Sequence, residues 1–73
     1  MDKRSNISQK LGKRIASLRK DAGLTQDQLA VKTGLDRTFI GYLEKGNRNP
    51  SVETANKIAR VLGVKIDEIF KFD

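Results

Sequence analysis

The segment from Arg37 to Lys45 has polar side chains at a spacing that suits hydrogen bonds to the edges of DNA bases. At about 100° per residue of an α-helix, its small and polar residues share one face: Arg37, Thr38, Gly41, Tyr42 and Lys45. Ile40 and Leu43 fall on the opposite face. Arginine can donate two parallel hydrogen bonds to O6 and N7 of guanine, and threonine can bond a base or pack on a thymine methyl. The segment therefore predicts a helix that contacts DNA bases through Arg37, Thr38 and Tyr42.

Residues around this helix suit contacts with DNA phosphates, which position a protein without reading sequence. Gln26 begins another predicted helix, whose N-terminal amides can bind a phosphate. Lys45 ends the candidate recognition helix, and Asn47 and Arg48 follow it in a polar loop. We expect these four residues to contact the DNA backbone.

The chain is strongly basic, with 15 Lys and Arg against 9 Asp and Glu and a net charge of +6. Basic residues crowd the first 20 positions, where Asp2 is the one acid among residues 1–20. A small basic domain commonly binds nucleic acid, although anionic membranes and acidic proteins attract one as well. Lys10 and Arg14 are therefore either further phosphate contacts or part of a solvated helix face.

The residue types that are missing exclude several kinds of site. The chain has no Cys and no His, and so lacks the usual nucleophile–base pairs and zinc ligands. No apolar run approaches the roughly 20 residues of a membrane-spanning helix, and no signal-peptide pattern follows Met1. We expect no enzymatic activity, no metal, no cofactor, no small-molecule ligand and no membrane partner. The lack of cysteine fits a reducing cytoplasm.

Apolar spacing and capping residues predict three helices in the first two thirds of the chain. The first spans about residues 6–22 and has an apolar stripe: Ile7, Leu11, Ile15, Leu18 and Ala22. A capping box at Thr25–Gln28 begins the second helix, which ends near Thr33. The third runs from its cap, Asp36, to about Lys45.

Two more helices complete an all-α, five-helix domain over residues 7–73. The fourth follows Ser51 and carries apolar residues at helical spacing: Val52, Ala55, Ile58, Ala59 and Leu62. The fifth spans Ile66–Phe70. Four glycines that follow helices are expected to take positive φ: Gly23, Gly34, Gly46 and Gly63. Residues 1–6 are expected to form a flexible basic arm, in which Lys3 and Arg4 either contact DNA or belong to a disordered tail.

The second and third helices, joined by a tight turn, have the pattern of a helix-turn-helix. Ala30 is small enough for the third helix to cross there, and Gly34 tolerates a left-handed turn. The alternative is a plain helical bundle with the same turn. Arg19 and Glu44 each lie beside an apolar position, so we expect a partly buried ion pair between the first and third helices. Truncating either residue would leave a costly unpaired charge.

Six runs between Leu11 and Phe70 are similar to those of the lambda-repressor-like, or XRE, helix-turn-helix family. They are Ile15–Arg19, Gly23–Gln26, Gln28–Ala30, Tyr42–Gly46, Arg48–Ser51 and Leu62–Val64. The resemblance implies a compact five-helix lambda-repressor-like fold and a transcriptional regulator that binds palindromic operators as a homodimer. It also implies base contacts at Arg37 and Thr38, an Arg19–Glu44 ion pair, and contacts to the DNA backbone at Gln26, Tyr42 and Asn47.

Within the family, Asp36–Ile40 together with Gly46–Asn49 resembles the controller proteins of restriction–modification systems, which are small, dimeric bacterial regulators. Pro50 departs from that subgroup, where an apolar residue is frequent at this position. Pro50–Ser51 is commoner in general XRE repressors. The resemblance implies a cytoplasmic protein of bacterial or phage origin, associated with the nucleoid when bound.

The C-terminal residues carry more apolar surface than a core of this size needs: Val64, Ile66, Ile69, Phe70 and Phe72. We expect Ile66, Ile69 and Phe72 to form the dimer interface. The alternative is that Ile69 and Phe70 close the core of the monomer, and both roles are compatible.

The leading interpretation is a sequence-specific regulator that binds double-stranded operator DNA, represses or activates its own gene and responds to its own concentration. The alternative is an antitoxin-like or other protein-interaction module of the same fold. A long partner-binding tail would favour that alternative, and only Lys71–Asp73 follow the last predicted helix.

Overall fold

The computed structural model describes residues 6–72, which form five α-helices and no strand. The helices are α1 (Asn6–Asp21), α2 (Gln26–Thr33), α3 (Arg37–Lys45), α4 (Val52–Leu62) and α5 (Ile66–Ile69). The predicted all-α, five-helix fold is confirmed. The predicted arm lies outside the described residues, apart from Asn6, which begins α1. None of the helices across residues 6–72 is both long and apolar enough to cross a bilayer.

Local residue chemistry sets the ends of the helices. Thr25 accepts a hydrogen bond from the backbone N–H of Gln28, and Gln28 accepts one from the backbone of Thr25, so the predicted capping box is present. Ser51 caps α4 through the backbone N–H of Thr54. All four glycines predicted to take positive φ do so. At Gly46, with φ +81°, this left-handed conformation lets the chain leave α3 without the strain that a side chain would add.

Every helix contributes to one core. The largest fully buried side chains are Ile15 of α1, Leu29 of α2, Ile40 and Leu43 of α3, Ile58 of α4 and Ile69 of α5. Burying a side chain of this size stabilises the fold by about 1.5–3 kcal/mol relative to leaving it exposed. Because Ile40 and Leu43 lie on one side of α3, this packing determines which side of α3 faces solvent.

Helix α1 packs against the C-terminal half of α3 at backbone distance. A Cβ atom added to Gly12 would overlap the carbonyl oxygen of Leu43 and lie 2.7 Å from that of Glu44. One turn earlier in α1, Gln9 packs on Gly46, where an added Cβ would lie 2.9 Å from the Cα of Gln9. These two glycines allow α1 to hold the end of α3 in place.

Some expectations about helix ends are wrong. Helix α1 ends at Asp21 rather than Ala22, and Ala22 is exposed, as is Ile7 at the other end of the predicted stripe (62% exposed). Val52, at the start of α4, is 75% exposed. Helix α5 ends one residue before Phe70. The periodic pattern gives the angle of a residue around its helix, but not whether that end of the helix extends past the core.

Candidate nucleic-acid interface

The turn between α2 and α3 is held by closely spaced hydrogen bonds. The backbone N–H groups of Gly34 and Leu35 donate to the carbonyl of Ala30 at 2.9 and 3.1 Å. The buried Thr33 hydroxyl donates to the carbonyl of Leu29 at 2.8 Å and accepts from the N–H of Leu35 at 3.3 Å. This turn therefore fixes where α3 begins relative to α2.

The outward face of α3 carries the three side chains predicted to contact bases. Arg37 and Thr38 are exposed, and Tyr42 is 43% exposed. On the opposite face Ile40 and Leu43 are buried, so the polar face is directed away from the core. The structure brings the predicted base-reading residues together on one continuous solvent-facing surface.

Arg37 has a partner that the sequence analysis missed. Its Nε donates to the Asp27 Oδ1 of α2 at 3.1 Å, and both side chains are largely exposed. Sequence spacing gives no signal for this pair, because the two residues lie on different helices and meet only through the angle of the turn. The pair uses the Nε–H of Arg37, and Nη1 of the guanidinium lies 3.7 Å from where a Cβ atom of Gly41 would stand.

Arg19 and Glu44 form a buried ion pair that joins α1 to α3. Arg19 donates from Nε to Glu44 Oε2 at 2.7 Å and from Nη2 to Glu44 Oε1 at 3.1 Å. Its Nη1 donates to the carbonyl of Leu24 at 2.7 Å. The side chains are only 11% and 7% exposed. The bidentate geometry and the third bond satisfy the buried guanidinium, which locks the orientation of α3.

Gln26 extends this network toward the surface. Its Nε2 donates to Glu44 Oε1 at 2.9 Å. A carboxylate only accepts, so the contact fixes which end of the amide faces Glu44. The second N–H of the same nitrogen remains to donate elsewhere, and the residue is half-buried at the start of α2. Gln26 therefore links the buried pair to the position predicted to meet a phosphate.

The loop after α3 is anchored on α1. The Ser8 hydroxyl donates to the Asn49 Oδ1 at 2.8 Å, and the backbone N–H of Asn47 donates to the carbonyl of Tyr42 at 2.9 Å. Asn47 and Arg48 are exposed, and Lys45 is exposed on the last turn of α3. Three of the four residues predicted to contact the DNA backbone thus lie exposed at the C-terminal end of α3. The sequence analysis missed the anchoring roles of Ser8 and Asn49.

The helix-turn-helix family matches residues 15–69, which include all of α2, α3, α4 and α5. The chain belongs to the helix-turn-helix family. An uncharacterized HTH-type transcriptional regulator of Archaeoglobus fulgidus is 48% identical to it over 60 residues, covering 82% of this chain and 86% of the relative.

Solved structures of helix-turn-helix proteins share this fold. The restriction–modification controller protein C.AhdI from Aeromonas hydrophila superposes with a TM-score of 0.87 at 38% identity, over 90% of this chain and 100% of that one. SinR, a master regulator for biofilm formation solved in complex with DNA, gives a TM-score of 0.78 at 30% identity, over 81% of this chain and 95% of that one. The chain is a transcriptional regulator of the helix-turn-helix type, with a restriction–modification controller protein among its homologues.

In this helix-turn-helix protein, Arg14 has a structural role that the sequence analysis missed. Its Nε donates to the backbone carbonyl of Glu68 at 2.8 Å, and its Nη2 donates to Glu68 Oε1 at 3.0 Å. Lys71 donates to the other carboxylate oxygen of Glu68 at 3.2 Å. Arg14 therefore holds α5 against α1. Lys10 is exposed.

The C-terminal apolar residues of the helix-turn-helix domain divide into core and surface. Ile69 is 0% exposed within a single chain, so the prediction that it forms the dimer interface is wrong, and it closes the core instead. Phe70 is 45% exposed and does not close the core. Ile66 and Phe72 are partly buried against the core and keep some surface. The backbone turns after Ile69, and this turn decides which of these residues point inward.

Proposed function

We propose that this protein regulates transcription as a homodimer that places α3 in the major groove at each half of a palindromic operator. The outward face of α3 carries the proposal, because exposed Arg37, Thr38 and Tyr42 lie opposite a fully buried face. The major groove, about 12 Å wide, admits an α-helix. Arg37 would pair with a guanine, Thr38 would contact a neighbouring base, and Tyr42 would reach a base edge.

Contacts to phosphates on either side would hold α3 in register. Gln26 lies at the start of α2, and Lys45, Asn47 and Arg48 lie at the end of α3 and in its anchored loop. We propose that these four side chains contact the phosphates that border the groove. The net charge of +6 adds a long-range attraction to DNA that weakens as salt is raised.

A surface around α5 suits a second copy of the chain. Ile66, Phe70 and Phe72 keep apolar area at the surface within seven residues of sequence. Arg14 holds this segment against α1 through Glu68, so the apolar surface has a defined position relative to α3. In a two-fold dimer on DNA, the two copies of α3 would lie about 34 Å apart, one turn of the duplex.

We further propose that the protein controls its own gene and that its target belongs to a restriction–modification system. The likeness to the controller protein C.AhdI, at 38% identity over the whole of that chain, supports this assignment. Dimerisation makes operator occupancy depend steeply on protein concentration, so the regulator would sense its own accumulation in the cytoplasm.

The test is selection of binding sites from a random-sequence duplex library, with the DNA upstream of the protein's own gene included as a candidate. Fluorescence anisotropy against shuffled DNA at several salt concentrations then measures specificity. We expect inverted half-sites with centres about 10–10.5 base pairs apart and a preference of about 10³ or more over shuffled DNA. Equal, steeply salt-dependent binding to both DNAs would contradict sequence-specific reading. No binding at low salt would favour a protein-interaction module instead.

Analytical ultracentrifugation tests the dimer separately. We expect a dimer at micromolar concentration or on the selected duplex, and Phe70→Asp should shift the equilibrium toward monomer. Monomer alone at high concentration, with and without DNA, would refute the dimer.

A further inference from the structure

The pair between Arg37 and Asp27 is poorly suited to stabilising the fold. The two side chains are 57% and 80% exposed, and pairs in water contribute little to stability because solvent screens the charges. Yet the pair joins the first turn of α2 to the first residue of α3, the two elements that the turn at Gly34 brings together. Its position points to a role at the outward surface of α3.

Gly41 supplies a second, independent observation at the same place. Glycine is unfavourable inside a helix, and here the chain adopts ordinary helical geometry. An added Cβ would meet one neighbouring atom within 4 Å, the Nη1 of Arg37 at 3.7 Å. The Arg37 guanidinium therefore lies over Gly41, one turn along α3. Gly12 differs, because backbone atoms of α3 occupy the space that a side chain would need there.

We propose that Asp27 is a positioning residue that sets the base specificity of Arg37 by holding its guanidinium over Gly41. This inference rests on the proposed function of α3. Asp27 takes only the Nε–H of Arg37, which leaves Nη1 and Nη2 to form the two-pronged contact with O6 and N7 of guanine. An arginine that is already oriented loses less side-chain freedom on binding than a free one. Asp27 therefore favours the duplex that has guanine at the place Arg37 reaches.

The charge of Asp27 does not by itself discriminate between duplexes. A carboxylate beside the DNA repels phosphates of every sequence, so it weakens binding to non-cognate duplexes and cognate duplexes alike. Only the cognate duplex regains affinity, through the Arg37 contact that Asp27 prepares. The ratio of specific to non-specific affinity therefore rises only through the contact of Asp27 with Arg37, because the repulsion itself cancels from that ratio.

The test compares Asp27→Ala with Glu53→Ala. Glu53 is an exposed carboxylate in the first turn of α4, so both variants lose one negative charge from the same kind of position. Two duplexes serve as probes. The first is the duplex that the wild-type protein selects. In the second, adenine replaces the guanine for which the Arg37→Ala variant has lost its preference. Anisotropy measures the guanine-to-adenine affinity ratio for each variant.

We expect Asp27→Ala to lower this ratio by about threefold to fivefold, whereas Glu53→Ala should leave it unchanged. In an Arg37→Ala background, Asp27→Ala should not lower the preference for the selected duplex over shuffled DNA any further. An unchanged or increased ratio in Asp27→Ala would overturn the proposal, as would an equal loss in Glu53→Ala or a further loss in the Arg37→Ala background. If the wild-type protein selects no sequence, the proposed function itself fails. If it selects a sequence but Asp27→Ala leaves the ratio unchanged, only the role of Asp27 fails.

Discussion

Each of the two faces of α3 has a charged pair and a glycine close to it, and the two sets have different roles. On the inner face, Glu44 pairs with Arg19, and Gly12 of α1 meets the helix backbone. On the outer face, Arg37 pairs with Asp27, and the Arg37 guanidinium lies over Gly41. The inner pair is 11% and 7% exposed, and the outer pair is 57% and 80% exposed.

The two ion pairs have the same chemistry, but the buried one suits a role in folding and the exposed one suits a role in binding. A buried charge pair must form its hydrogen bonds within the protein, and removing one partner leaves the other buried and unpaired. A charge pair in water can exchange its partner for a ligand at little cost. We infer that the inner face of α3 determines the stability of the protein and the outer face determines what it recognises.

The largest effect should follow from Glu44→Ala. The change leaves Arg19 charged, nearly buried and without its carboxylate partner, and takes away the acceptor for Gln26. We expect a loss of about 3–5 kcal/mol in the free energy of unfolding, measured by urea denaturation followed by circular dichroism. Asp27→Ala is the matched change on the outer face and should cost less than about 1 kcal/mol. Equal losses in the two variants would contradict the view that the buried pair stabilises the fold more than the exposed pair does.

Gly12→Ala should destabilise the protein next most strongly. The added methyl group would meet the carbonyl oxygens of Leu43 and Glu44, which are backbone atoms and cannot move aside as a side chain would. Separation of α1 from α3 should cost about 1–3 kcal/mol, again measured by urea denaturation. Wild-type stability in this variant would mean that the contact between the two helices is readily loosened.

Arg37→Ala should affect binding rather than folding. We expect the free energy of binding to the selected duplex to weaken by about 1–3 kcal/mol. The free energy of unfolding should stay within about 0.5 kcal/mol of the wild-type value. Anisotropy and urea denaturation measure the two quantities. Lys45→Ala is the control, because loss of a phosphate contact should weaken binding to selected and shuffled DNA alike. A preference for the selected duplex that survives Arg37→Ala would contradict the assignment of base reading to Arg37.

The smallest effect should come from Gly41→Ala, with opposite signs for stability and binding. Alanine favours a helix over glycine by about 0.5–1 kcal/mol, and the new methyl group would have only an ordinary contact with Arg37 Nη1. We expect the thermal midpoint to rise and the affinity for the selected duplex to fall, because the backbone of α3 approaches the DNA less closely. A fall in stability would show that Gly41, like Gly12, is needed for packing.

Local sequence was enough to predict the five helices and most of their ends, because those depend on neighbours within a few residues. The capping box at Thr25 and Gln28 and the left-handed glycine at position 34 are local chemistry. Helical periodicity separated Ile40 and Leu43 from the outward residues of α3. The resemblance to a known family and the neighbouring apolar residues together indicated that Arg19 would meet Glu44.

Most contacts between residues that are distant in the chain depend on the tertiary structure. Arg14 meets Glu68 across 54 positions, and Arg37 turns toward Asp27 because of the angle between α2 and α3. Ile69 is buried while Phe70 is exposed, although both are large and apolar. Composition and periodicity report the chemistry of a side chain and its angle on a helix. They do not report where two helices cross, and the crossing determines which charges meet and which apolar groups reach the core.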